Sequence, residues 1–517
     1  MEYFEGFEAE RSRKIRRRRR RPTGLWITIL IAVVAIVLLV FGLLYVTHKL
    51  PDSFYGKVSP TEEESASETS QTELASVPTE TETEEPTTME GLDILKAAEV
   101  QALSYDYDAA IATLQTMKDY ESYPAFTEKI SEYNDAKIRL VKWADNTQIT
   151  HVFFHSLIIN TDLAFNSIKR DEYNQVMTTA DEFNKILEAM YEKGYVLVNI
   201  HDIAELVPQD DGTMKMTPKA IYLPKGKIPF VMSQDDVCYY EYMTGHGFAS
   251  RLVVKPNGRV TTEMDLADGS TVTGSYDLIP LLDDFCDKHP DFSYRGARAI
   301  IAVTGYNGVF GYRTSEYTYG GGGGDGTPNP NIEADRVKVR EVADALRATG
   351  YEIASHSWGH RDYGKISYEH FVWDADMWEK EVESIVGETD ILLYPFGADI
   401  DSWKDYPDTN ERYQYLSNLG FHYYCNVDSN VCWVQIRRGY MRQGRRNLDG
   451  TRMYEALVAK DRLSDLFDSK EIFDPARPTP VVGVTPTQPA TEAEPTPEPA
   501  PPAEGGNAEP EGAAGQE

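Results

Sequence analysis

From Thr150 onward the chain predicts an α/β barrel, a ring of parallel strands joined by crossover helices. Three observations carry this reading. Short apolar runs alternate with amphipathic helical stretches. Helical stretches stop at glycines, as at Gly194 and Gly350. Polar clusters stand at the ends of apolar runs, where a barrel of this kind keeps its chemistry.

The elements follow in order. "ITHVFFHSLI" reads as a strand, "EYNQVMTTADEFNKILEAMYEKGY" as one amphipathic helix, and "VLVNIHDI" as a strand. "KIPFVMSQDD" is a strand running into two acids. "YDLIPLLDDFCDKHP" is a helix and "ARAIIAVTG" a buried strand. "ADRVKVREVADALRATGY" is a helix followed by the strand "EIASHS". "DADMWEKEVESIVG" is a helix before the strand "DILLYPFG". The glycine-rich stretch 319–331 reads as an insertion between a strand and a helix. The barrel domain is expected over residues 150–470.

Before it, residues 91–145 predict helices with apolar residues at helical spacing, such as Ala109, Ile111, Ala112 and Leu114. "YDYDAAIATLQ" has the texture of one tetratricopeptide hairpin, and one hairpin is not an array, so a small helical spacer is expected. Residues 48–90 are rich in Ser, Thr, Glu and Pro and predict a disordered stalk; residues 475–517 predict a similar tail.

The net charge is −32, yet residues 11–21 carry nine basic side chains and no acid. The rest is more acidic than the total, which excludes the basic footprint nucleic-acid binding needs. Gly24 to Thr47 holds no charged residue in 24 positions. About 20 such residues cross a bilayer core. A cytoplasmic basic tail over 1–24, a transmembrane helix over 25–47 and an extracellular bulk are therefore expected, since basic flanks stay inside. A retained anchor fits better than a cleaved leader, because no small-x-small site follows. Outside the membrane Cys238, Cys286, Cys425 and Cys432 can pair, and Cys425 with Cys432, flanking a turn-like stretch, is the first pairing expected.

Three clusters fall at predicted strand ends: Asp235 with Asp236, His356 with His360, and Pro395 to Gly397. Two imidazoles and a carboxylate form a facial set for zinc or a similar divalent ion, with positions left for water and substrate. A four-residue step sets two rings on one side of a turn. Neighbouring aspartates on a strand point to opposite faces unless the strand kinks, and a strand end supplies such a kink.

"SQDD" (233–236), "HSWGH" (356–360) and "YPFG" (394–397), in this order, resemble the three motifs of the polysaccharide deacetylases, the NodB homology domain of carbohydrate esterase family four. The resemblance covers roughly residues 150–460, with insertions after Asp236 and at the glycine run. It implies a distorted (β/α) barrel of the NodB type and metal-dependent hydrolysis of acetyl groups on an acetylated polysaccharide. Asp235 would be the general base, and Asp236, His356 and His360 would hold the metal, with zinc expected. The backbone N–H of Phe396 would steady the oxyanion. For an anchored enzyme on a stalk, N-acetylglucosamine in a cell-wall glycan is the expected target. Two positions depart from the family pattern: Leu393 stands where an arginine orients the base, and no histidine follows His422 to protonate the leaving amine. These departures would equally suit a non-catalytic glycan-binding or wall-assembly protein. His155, at an early strand end, and Arg445, Arg446 and Asp449, on a basic late stretch, are further candidates for the mouth. So are the aromatics Tyr239, Tyr240, Tyr242, Trp358, Tyr394 and Trp433.

Overall fold

The computed structural model describes residues 89–487 apart from 322, 323, 325, 403 and 431. The basic tail, the apolar span Gly24–Thr47 and the stalk up to residue 88 lie outside the described residues. Among the described residues no helix is long and apolar enough to cross a membrane.

Seven parallel strands close into a barrel: β1 (Thr150–Phe154), β2 (Ile228–Gln234), β3 (Ile300–Val303), β4 (Glu352–Ser355), β5 (Ile391–Leu393), β6 (Tyr423–Val427) and β7 (Met441–Asn447). Each pairs with the next in sequence, and β7 returns to β1. The closure is uneven. β2 pairs with the short strand Tyr195–Leu197 through Ile228 to Phe230, and with β3 only at Ser233 and Gln234. β7 pairs with the antiparallel strand Trp433–Ile436 through Met441 to Gly444, and with β1 only at Arg446 and Asn447. Two wedge strands thus splay the barrel at its N-terminal end, and it closes at the C-terminal end, where the polar clusters stand.

Alternation along the strands sorts the core. Val231, Ala302, Ala354, Leu393, Cys425 and Met441 form one apolar cluster. Met232, Ile301, Ile353, Leu392 and Tyr424 form another with the surrounding helices. Those include α4 (Ala180–Glu192), α5 (Leu278–Lys288), α6 (Ile332–Thr349), α7 (Tyr368–Trp378) and α8 (Glu411–Leu419).

Several boundaries differ from expectation. The single helix expected over 172–194 is two, Arg170–Val176 and α4, because Thr179 stops one and caps the other. The Thr179 hydroxyl accepts from the Glu182 N–H, and Glu182 answers to the Thr179 N–H, a capping box. "VLVNIHDI" is strand only to Leu197, then a helical turn from Ile200. The insertion after Asp236 carries a three-stranded antiparallel sheet, Arg251–Val254, Val260–Asp265 and Thr271–Gly274.

The expected tail from 475 starts too early. Arg477 is buried and fully bonded to Glu182 and the Asn174–Met177 backbone, and Val481 is buried too. Composition hid this because a single arginine, not an apolar run, docks the segment. The expected Cys425–Cys432 bridge is absent: all four cysteines are free. Cys425 lies buried beside His151, whereas the Cys432 thiol donates to the Ile149 carbonyl at 3.1 Å.

The N-terminal segment forms three helices, Met89–Leu103, Tyr107–Leu114 and Pro124–Ile138, around a small core of Ala98, Ala102, Ala110, Leu114, Phe126 and Tyr133. It is tied to the barrel by the Tyr105 hydroxyl on the Asp291 carbonyl, 2.8 Å, and by Val141–Lys142 pairing with Tyr222–Leu223.

Candidate active site

β2 delivers both aspartates. Asp235 continues the inward alternation of Val231 and Ser233 and is 3 % exposed. Asp236 ought to face away, but its φ is +58°, so the chain turns and the second carboxylate comes back towards the mouth. The Tyr240 hydroxyl donates to Asp236 Oδ1 at 2.6 Å and fixes it there. Such left-handed residues recur around this mouth, at Tyr239, Ser357, His360 and Phe396. Backbone strain of this kind persists where surrounding structure enforces it, and it gathers at functional sites.

β4 delivers the histidines. His356 donates from Nδ1 to the Leu393 carbonyl at 2.8 Å, which leaves Nε2 as a bare lone pair towards the aspartates. Burial holds its pKa below the ordinary value, against the pull of Asp235 and Asp236. The turn to His360 is fastened from α7: the buried Asp374 accepts from the Trp358 N–H (2.9 Å), the Gly359 N–H (2.8 Å) and the Tyr363 hydroxyl (2.9 Å).

The two clusters converge. His356 Nε2 lies 3.9 Å and His360 Nε2 3.7 Å from Asp236 Oδ1, and ligand atoms of all three residues lie within 4.8 Å of one another. Tetrahedral donors at zinc distances stand about 3.4 Å apart. Each imidazole is therefore within about half an ångström of its spacing to Asp236 in such a set, and a carboxylate with two imidazoles suits a divalent ion.

Asp235 stands beside this set, 3.9 Å from His356 Nε2, and is gripped by Arg445 of β7. Arg445 donates to Asp235 Oδ1 at 2.6 Å and Oδ2 at 2.9 Å, and to the Ser233 hydroxyl at 3.1 Å. Burial alone would raise the Asp235 pKa, but Arg445 and His356 hold it well below the carboxylate range. Arg445 thus does from β7 what an arginine at position 393 would do from β5, where Leu393 packs in the barrel interior. Beneath them His151 bridges the Ser233 hydroxyl (2.9 Å) and Gln443 Oε1 (3.1 Å), a polar layer under Asp235.

The remaining candidates divide. His155 follows the end of β1 and bonds the Val176 carbonyl through Nδ1 at 3.2 Å. Phe396 sets its exposed ring edge to face with His360, centroids 4.4 Å apart. Arg446 is not in the site: it turns the other way onto Asp465 at 2.7 and 2.8 Å. Asp449 caps the helix Gly450–Val458 by accepting from the Arg452 N–H. Of the expected mouth aromatics, Tyr394 is wholly buried with its hydroxyl on Tyr406, Tyr240 bonds Asp236, and the buried Trp358 indole turns to Glu381. Asp374 went unnoticed in the sequence, although it shares helical spacing with Phe371, Ala375 and Trp378, an acid on an apolar stripe.

A barrel whose closed end brings together an ion-binding set and a locked carboxylate has the equipment of a hydrolase. The polysaccharide deacetylase family model matches residues 323–423, which span α6, β4 with both histidines, α7 and β5. Residues 323–423 thus resemble a polysaccharide deacetylase domain, which supports a hydrolase acting on carbon–nitrogen bonds, with acetyl-group hydrolysis the reaction such a domain implies. The aspartates lie outside the matched stretch and join it only through the fold. No curated protein matches the chain. The solved structure of the Streptococcus pyogenes deacetylase PplD in complex with acetate aligns at 12% identity and a TM-score of 0.31, over 60% of this chain and 95% of that one.

Proposed function

We propose that the protein removes N-acetyl groups from an N-acetylglucosamine-containing cell-surface glycan, using a divalent ion, with zinc favoured. The observation that carries this is the meeting of Asp236, His356 and His360 beside an Arg445-locked Asp235. The donor set fits zinc: a neutral imidazole, its lone pair freed by the Leu393 carbonyl, and an ionised carboxylate. A divalent ion held by Asp236, His356 and His360 would supply polarisation of the acetyl carbonyl and a lowered water pKa, to about 7.

The chain's own groups do the rest. Asp235 takes a proton from the attacking water, and Arg445 fixes the carboxylate's orientation while doing so. The Phe396 N–H, on its left-handed turn, is the proposed partner for the oxyanion. His155 is the proposed donor to the leaving amine; its support is its place just past the end of β1, the strand paired with β2, which delivers both aspartates. The non-catalytic alternative loses one of its two grounds, because the base does have an arginine partner. The uncharged run Gly24–Thr47 behind an arginine-rich tail supports a single-pass anchor with this domain outside the cell.

Acetate release from N-acetylglucosamine oligomers by the zinc-loaded protein tests the reaction. Release that vanishes in Asp235→Asn is expected. An unchanged rate in that variant would refute the assignment.

A further inference from the structure

Among the described residues six aromatic side chains are largely exposed: Tyr222, Tyr242, Tyr317, Tyr368, Trp373 and Phe396. Five of these follow the C-terminal ends of consecutive strands: Tyr242 after β2, Tyr317 after β3, Tyr368 and Trp373 in the first half of α7 after β4, and Phe396 after β5. Exposed rings are thus gathered on the face that holds the Asp236, His356 and His360 set. Two of the five form a constructed surface. Tyr317, 44% exposed, and Trp373, 37% exposed, meet edge to face at 5.6 Å. Both rest on the buried Trp358 at 5.4 and 5.3 Å, and Trp358 lies between the two histidines of the site.

A buried carboxylate holds this surface in shape. Glu381 accepts from the Trp358 indole N–H (3.0 Å), the Tyr317 N–H (2.9 Å) and the Ser315 hydroxyl (2.7 Å). It comes from a π-helical turn, Glu379–Glu383, that continues α7. Such turns are rare and gather at functional sites. The carboxylate thus fixes Trp358 and the Tyr317 backbone, and both rings rest on Trp358 with a share of their surface open to water.

We propose that Tyr317 and Trp373 form a subsite that stacks on a sugar ring of the substrate chain one or more units away from the ring bearing the scissile acetyl group. This rests on the deacetylase reading above. A pyranose presents a flat C–H face that packs on an aromatic ring and an edge of hydroxyls that stays in water, which suits half-exposed rings. A polymer that places one acetyl group over the ion-binding set must cross the rim on leaving it. The preferred substrate is accordingly an extended chain.

The test compares the dimer and the pentamer of N-acetylglucosamine on the zinc-loaded full chain, by acetate release and by calorimetric binding of the pentamer. The unmodified protein is expected to favour the pentamer in kcat/KM. Trp373→Ala should raise the pentamer's KM roughly tenfold, with kcat little changed, and erase its advantage over the dimer. Trp373→Phe should restore it, which a general packing defect would not allow. Should neither oligomer release acetate, the deacetylase reading fails, yet pentamer binding to the unmodified protein and not to Trp373→Ala would still uphold the subsite. An equal length dependence in the two proteins, or no pentamer binding to either, would overturn it.

Discussion

Two buried arginine–carboxylate pairs in this molecule look alike and differ in what they leave over. Arg477 meets Glu182 through Nε and Nη2, both at 2.6 Å, and spends its other donors on Asn174 and the Met177 carbonyl. Glu182 in turn accepts from the Thr179 and Asp474 N–H groups. Arg445 also meets Asp235 at two points, but end-on through Nη1 and Nη2, and Asp235 further faces His356 Nε2 beside Asp236 and His360. A pair saturated on every side is a fastener, here of the C-terminal segment to α4. A pair with one side turned to a mouth keeps an ionised carboxylate aimed there, as the proposed base requires.

That difference yields ordered predictions. Asp235→Asn should lower kcat by about 10²–10⁴-fold while the protein stays folded, since general-base contributions are of that size. Arg445→Met should follow, with a loss of roughly a hundredfold, because the carboxylate keeps its place in sequence but not its aim. Arg477→Met should do the opposite. It should lower stability by about 3–5 kcal/mol, the cost of stranding a buried carboxylate, and leave kcat untouched below the reduced Tm. A fall in kcat of the folded Arg477→Met protein would break the comparison. Asp374→Asn is expected to be milder: one backbone N–H of the 358–359 pair loses its acceptor, costing about 1–3 kcal/mol, and ion affinity falls about 10–100-fold. Denaturant melts and zinc titration read both.

The smallest effect is at the opposite end of the barrel. His201 bridges Glu352 and, at 2.9 Å, Asp390. Burial alone would lower its pKa, but the two carboxylates raise it from its ordinary value of 6.5 to about 10. A raised folded pKa stabilises fully below the unfolded value and is lost as pH climbs through the folded one. The unmodified protein should therefore lose a small part of its Tm between pH 7 and 10 relative to its value at pH 6. His201→Gln should lack this decline.

The sequence made the barrel legible because its strands are short apolar runs with glycine-stopped helices between them, signals that depend on neighbours. The two site clusters were legible for the same reason: each ends a strand. Unreadable were pairings between residues far apart, whose partners share no local pattern. Arg445 lies 210 positions from Asp235, and Arg477 lies 295 from Glu182. The basic stretch 437–450 signalled that something was there, but nothing local distinguished Arg445, turned inward, from Arg446, turned outward. Only β7's register beside β6 and β1 separates them. The cysteine pairing failed because a turn-like spacing says nothing about which side of a strand each thiol occupies.

The central claim is that the two neighbouring aspartates have divided their labour, Asp236 to the ion and Asp235 to the proton. Zinc titration calorimetry of the unmodified chain, Asp235→Asn and Asp236→Asn addresses it directly. One ion per chain is expected for the first two and none of comparable affinity for the third. Equal loss of zinc in both variants, or undiminished binding in Asp236→Asn, would contradict it.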